Sequence, residues 1–117
     1  MNTSEYLVPP SHIFNNLIKE DDRYIVTETE FERLTVSRTI LRPEKATSGH
    51  SHENQEEVYF FKEGNGEMEL DDDTFPVCEG DVVFIKSGVF HKVNNINATW
   101  DLVFDGIFIG ERSDEAK

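Results

Sequence analysis

Residues Gly49 to Gly66 read GHSHENQEEVYFFKEGNG. The stretch carries two of the chain's four histidines, one residue apart. Side chains at i and i+2 of an extended segment share a face, so His50 and His52 point the same way. Glu57 opens the apolar run and returns to the same place if the chain turns through Glu53, Asn54 and Gln55. Gly64, Asn65 and Gly66 tolerate positive φ and mark a hairpin turn. Neutral imidazoles with one carboxylate suit a divalent transition metal. A fourth candidate ligand, His91, lies far along the chain behind Ser87-Gly88-Val89-Phe90.

Strand signals extend outward on both sides. Upstream, RYIVTETEFERLTVSRTILRP from Arg23 is rich in β-branched and aromatic residues with partial alternation. Downstream come EMEL, FPVCEG, DVVFIK, SGVFHKVNN and TWDLVFDGIFIG, separated by turn residues. Short strands at close spacing with almost no helix predict an all-β barrel or sandwich. Residues 1–22 form a lead-in, in which Pro9 and Pro10 favour extended chain and Ser11 caps one helical turn through Phe14, Leu17 and Ile18. The barrel domain is expected over 23–112, with residues 113–117 a frayed tail.

The totals bound the function. At 117 residues one domain is expected. A formal net charge of −13 leaves too few cations to replace counterions on a nucleic acid or to bind an anionic membrane. Cys78 is the sole cysteine, which excludes an intramolecular disulfide and fits a reducing compartment. The N-terminus lacks a basic start and a sustained apolar stretch, and no segment is apolar over a bilayer's width. The expected location is cytoplasmic.

The chain resembles the cupin superfamily. That family's first motif is Gly, five residues, His-x-His, three or four residues, Glu, six residues, Gly. HSHENQEEVYFFKEG matches it from His50 through His52 and Glu57 to Gly64, although Gly49 precedes His50 directly. Glu56 is the second choice for the acidic position. The second motif matches at Gly80, Gly88, His91 and Asn95, with Lys86 where the family usually has Pro. The resemblance implies a double-stranded β-helix, a jelly-roll-like barrel. It also implies that His50, His52, Glu57 and His91 bind one metal ion inside it: Fe, Mn, Zn or Ni.

Four protein ligands on a six-coordinate ion leave two positions for oxygens of a small-molecule substrate, which the ion can polarise as a Lewis acid. TILRPEKATSGHSHENQEEVYFFKEGNGEMEL resembles the core of the sugar-phosphate isomerase cupins, which implies an isomerase-like enzyme on a sugar or sugar phosphate. Arg38 and Arg42, at i and i+4 on one strand, share a face: on the barrel interior they are the candidate cations for an anionic substrate, and on the outside they solubilise the strand or pair with the many acids. Tyr59 and Phe61 share Glu57's face and line the pocket. Tyr59 can donate a hydrogen bond or proton, and Glu57 is a second candidate for catalysis. An Fe(II) dioxygenase and a non-catalytic binding module are the alternatives. Edge strands need cover, and small cupins form homodimers by joining sheets, so a homodimer is expected. Among weaker features, Asp71 to Asp73 are expected at a solvated hairpin tip and Cys78 as a small buried filler. Asp105 is expected as an edge residue facing water, with a pocket acid as the alternative, and His12 has no assigned role.

Overall fold

The computed structural model of the chain describes residues 6–110. Among the described residues, nine strands follow a 3-10 turn at Pro10–His12: β1 (Asn16–Glu20), β2 (Tyr24–Glu30), β3 (Leu34–Leu41), β4 (Glu57–Glu63), β5 (Asn65–Leu70), β6 (Asp73–Cys78), β7 (Val82–Ile85), β8 (His91–Asn94) and β9 (Leu102–Ile109). They form two antiparallel sheets, one ordered β1-β2-β3-β9-β4-β7 and the other β6-β5-β8. This is the all-β jelly-roll architecture expected. The expected frayed tail, residues 113–117, lies outside the described residues.

The lead-in differs from its expectation. Leu17 and Ile18 lie in β1, which pairs with β2, rather than in a helical turn. Pairing with an open sheet edge outweighs a single capped turn, because an isolated helical turn costs more order than it returns in hydrogen bonds. Phe14 sits at φ +55, where its backbone N–H meets the Thr29 hydroxyl.

Alternation along the strands divides the interior. In β3, Thr35, Ser37, Thr39 and Leu41 point in; in β9, Leu102, Phe104 and Phe108 do. Leu41, Phe61, Met68, Val77, Val93, Leu102 and Phe104 form the apolar end of the core. Each fully buried side chain of this size contributes about 1.5–3 kcal/mol. The other end is polar, with Glu28, Ser37, His52, Glu57 and His91 all buried. Both ends occur on the same strands, so the packed floor fixes the height of the polar residues above it.

Cys78 is exposed, not buried as expected. It sits at the end of β6 on the outward parity, one residue past the buried Val77. The neighbouring carboxylate of Asp81 raises its thiol pKa, so a thiolate is disfavoured there.

Candidate metal centre

His91 begins β8, while His50 and His52 lie in the loop before β4. Backbone hydrogen bonds join the two segments. His50 N–H donates to the His91 carbonyl at 3.1 Å, and His91 N–H returns the bond at 2.9 Å. Gly88 N–H donates to the His52 carbonyl at 2.7 Å. Gly49 makes the approach possible: it adopts φ +82, and a Cβ there would lie 2.5 Å from the Phe90 ring. Asp71 holds the same corner from the β5–β6 turn, its Oδ1 accepting from Phe90 N–H at 3.0 Å. Asp71 thus braces the start of the His91 strand in addition to sitting at a hairpin tip.

Ring nitrogens of His50, His52 and His91 lie within 4.8 Å of one another. The ring centroids are 4.6 Å apart for His50–His52, 4.4 Å for His50–His91 and 5.5 Å for His52–His91. The three rings can therefore hold one metal ion between them. His91 and His52 are buried, while His50 is half-buried and marks the open side.

The chemistry of His91 fits an ion. Its Nδ1 lies 3.1 Å from the Val89 carbonyl, which can only accept, so the proton sits on Nδ1. A neutral imidazole then presents its lone pair at Nε2. That atom is buried and makes no hydrogen bond. It faces Glu57 Oε1 at 3.5 Å. Two acceptors set against each other in a buried site are costly unless a cation joins them. The Val89 carbonyl also fixes the ring's tautomer and orientation, as partners of metal-binding histidines do.

Glu57 starts β4 with Tyr59 and Phe61 on the same inward face. The Tyr59 ring stands edge-on to His91 at 5.8 Å between centroids, and Phe61 packs behind it on Phe104. Glu56 is exposed and precedes the strand. Four expected residues beyond the histidines thus divide cleanly: Glu57, Tyr59 and Phe61 join them, and Glu56 does not.

Arg38 and Arg42 do not join them either. In β3 the inward residues carry odd numbers, so Arg38 projects from the opposite face. Its guanidinium forms a two-point bond to Asp105, Nε to Oδ1 at 2.7 Å and Nη2 to Oδ2 at 2.9 Å, and lies over the Phe14 ring. Asp105 holds Arg38 more firmly protonated. Arg42 lies just past β3 and is 3.7 Å from Asp101. Neither cation reaches the histidines. Asp105, expected to face water, is largely covered by its pairing with Arg38.

The sequence reading missed Glu28, Ser37 and Gly106. Glu28 and Ser37 are buried and directly opposed in register. Gly106 pairs with Ser37 on one side and Tyr59 on the other. Parity was the available signal: Glu28 shares the face of Tyr24 and Val26, and Gly106 that of Phe104 and Phe108.

The cupin-domain family model matches residues 37–109. The chain belongs to the cupin family. This cupin is 43% identical over 62 residues to an uncharacterized protein of Methanocaldococcus jannaschii, a match covering 53% of this chain and 50% of that protein. It is 33% identical over 73 residues to an oxalate-binding protein of Thermotoga maritima, covering 62% and 60%. The matches thus span only about half of the first relative's length and 60% of the second's. The crystal structure of a predicted oxalate decarboxylase from Thermotoga maritima superposes with a TM-score of 0.74 at 23% identity, covering 88% of this cupin and 97% of that chain. That last likeness is one of fold. No helix among the described residues is long and apolar enough to cross a membrane.

Proposed function

We propose that this cupin binds one divalent transition-metal ion through His50, His52, Glu57 and His91 and acts on a small, oxygen-rich metabolite such as a sugar or sugar phosphate, in the manner of an isomerase. The observation that carries the metal assignment is the unsatisfied Nε2 of His91, buried among two other imidazoles and opposite a carboxylate. When bound, the ion supplies Lewis acidity and two open positions for neighbouring hydroxyl and carbonyl oxygens. Tyr59 stands beside His91 and can donate a hydrogen bond to such a ligand. Phe61 and Phe104 keep water from the floor below it. The isomerase-like part rests on the wording TILRPEKATSGHSHENQEEVYFFKEGNGEMEL.

A second reading takes a dicarboxylate as ligand, favoured by the oxalate-binding relative. Under either reading the unit in solution is a homodimer. The outer face of the large sheet supports this, since Phe60, Val82 and Phe84 are exposed there on adjoining strands.

Elemental analysis of the purified chain tests the metal assignment. One transition-metal ion per chain is expected, and His52→Ala reduces that content well below one. A parent protein free of metal after expression and loading in each of Fe, Mn, Zn and Ni would sink the proposal. Activity on a panel of sugars and sugar phosphates, abolished by chelator, is the expected outcome for the isomerase-like reaction. Turnover of oxalate alone would replace it with the second reading.

A further inference from the structure

The β5–β6 hairpin turns on Asp71 and Asp72, between the paired Leu70 and Asp73. Asp71 has φ +50, in the region that favours glycine and that aspartate tolerates. Its carboxylate turns back toward the barrel, where Oδ1 accepts from Phe90 N–H at 3.0 Å. Its own N–H donates to the Phe90 carbonyl at 2.9 Å. The β5–β8 ladder ends at the pair Leu70–His91. Asp71 therefore carries the pairing one residue past His91, with a carboxylate oxygen standing in for a backbone carbonyl.

Phe90 is seated from its other side by Gly49. A Cβ on Gly49 would lie 2.5 Å from the Phe90 ring, so the ring rests on bare backbone. The ring is 38% exposed, which makes apolar burial alone a weak hold on it. The residues that Phe90 touches through its ring and joins through its peptide bond, Gly49 and His91, lead directly to two of the imidazoles. His50 follows Gly49, belongs to no strand, and is paired with His91 by an isolated bridge. A shift of Phe90 would thus change the separation of the His50 and His91 rings, whose centroids are 4.4 Å apart. Metal–ligand distances hold to about 0.2 Å, so such a shift reaches metal affinity directly.

We infer that Asp71 is a positioning residue for the metal centre: its carboxylate, through Phe90 and Gly49, sets the spacing of His50 and His91. This rests on the metal-centre reading. The role belongs to the hydrogen bond and not to the charge, because Oδ1 serves as the acceptor of a backbone donor. An asparagine has the same acceptor and tolerates the same φ.

Asp71→Gly and Asp71→Asn separate this role from plain turn stability. Glycine suits the positive φ and removes the acceptor, so relief of strain offsets the lost bond and the urea midpoint is expected to stay near the parent's. Competition between Asp71→Gly and a chelator for Zn is expected to show about tenfold weaker metal binding. In the metal-free chain, amide exchange at His50 and His91 is expected to quicken. Exchange at Val93, whose N–H donates to Thr47 Oγ1 at 3.0 Å, is expected to hold. Asp71→Asn is expected to match the parent in affinity and exchange. Parent-like affinity and exchange in Asp71→Gly overturn the inference, and metal binding by the parent leaves the metal centre standing. Equal weakening in both variants overturns it as well, because charge would then be the cause. Faster exchange spread evenly over β8, Val93 included, marks a merely structural turn and also overturns it. A parent that binds none of Fe, Mn, Zn and Ni overturns the metal-centre reading, and the exchange measurement, which needs no metal, then judges the brace on its own.

Discussion

Gly106→Ala isolates the role of one missing side chain in shaping the metal centre. Gly106 lies mid-strand, paired on both sides, and its φ is not positive, so alanine meets no backbone penalty there. The obstacle is space. A Cβ would lie 2.9 Å from Glu57 Oε2, 3.0 Å from Ser37 Oγ and 3.1 Å from Tyr59 Cε1. Each approach is a few tenths of an ångström inside ordinary contact. The backbone on either side is held by two ladders, so the side chains must yield. The carboxylate is the end of a flexible chain and moves first, and its other oxygen is the one facing His91 Nε2 at 3.5 Å. Loss of a partner that merely orients a metal ligand costs about 10–100-fold in metal affinity, so displacing the ligand Glu57 itself is expected to cost at least that much. Overpacking a filled interior costs about 1–3 kcal/mol of stability. Chelator competition measures the first and urea unfolding of the metal-free chain the second. A folded Gly106→Ala that binds metal as tightly as the parent would refute the claim that this glycine sets the position of Glu57.

Asn95 holds the turn after β8. Its Nδ2 lies 3.0 Å from the Leu41 carbonyl and 2.8 Å from that of Trp100, and its Oδ1 accepts from Asn97 N–H at 3.0 Å. Asn95→Ala leaves these buried groups unpaired and is expected to cost about 2–4 kcal/mol, at roughly 1 kcal/mol or more per bond, read by urea unfolding. Arg38→Ala is expected to lower stability by about 1 kcal/mol or less through loss of the partly exposed pair with Asp105, with metal and ligand affinity unchanged. A large loss of ligand affinity there would contradict its outward placement. Asp21 has its pKa lowered from 3.8 to about 2, first by its hydrogen bond with Arg23. Its stabilising contribution is therefore present above the ordinary carboxylate pKa and fades as pH falls through about 2. Asp21→Asn should melt below the parent at pH 6 and converge with it toward pH 2.

Much of the strand layout was legible because period-two alternation is a local property. EEVYFF, EMEL, DVVFIK and DLVFDGIFI each carry their burial pattern in the order of their residues. The lead-in was not legible in the same way. Leu17 and Ile18 form a strand only because β2 offers an edge, and an edge is a property of the assembled sheet. The face of Arg38 stayed open for a different reason. Two arginines at i and i+4 share a face, but which face is buried follows from Leu41, which the pair's spacing alone does not reveal. Glu28 was overlooked because an acid among Thr27, Thr29 and Glu30 has the composition of a solvated strand.

The sequence by itself determined the strand periods, the turns, and the spacing of His50, His52, Glu57 and His91 that marks a cupin. Only the tertiary structure decided that His91 Nε2 faces Glu57, that Arg38 turns outward, and that Glu28 and Gly106 border the centre. Alternation and turn chemistry act between residues close in the chain, so order alone encodes them. Convergence of four strands on one interior depends on register between segments dozens of residues apart, and that register exists only once the sheets have closed.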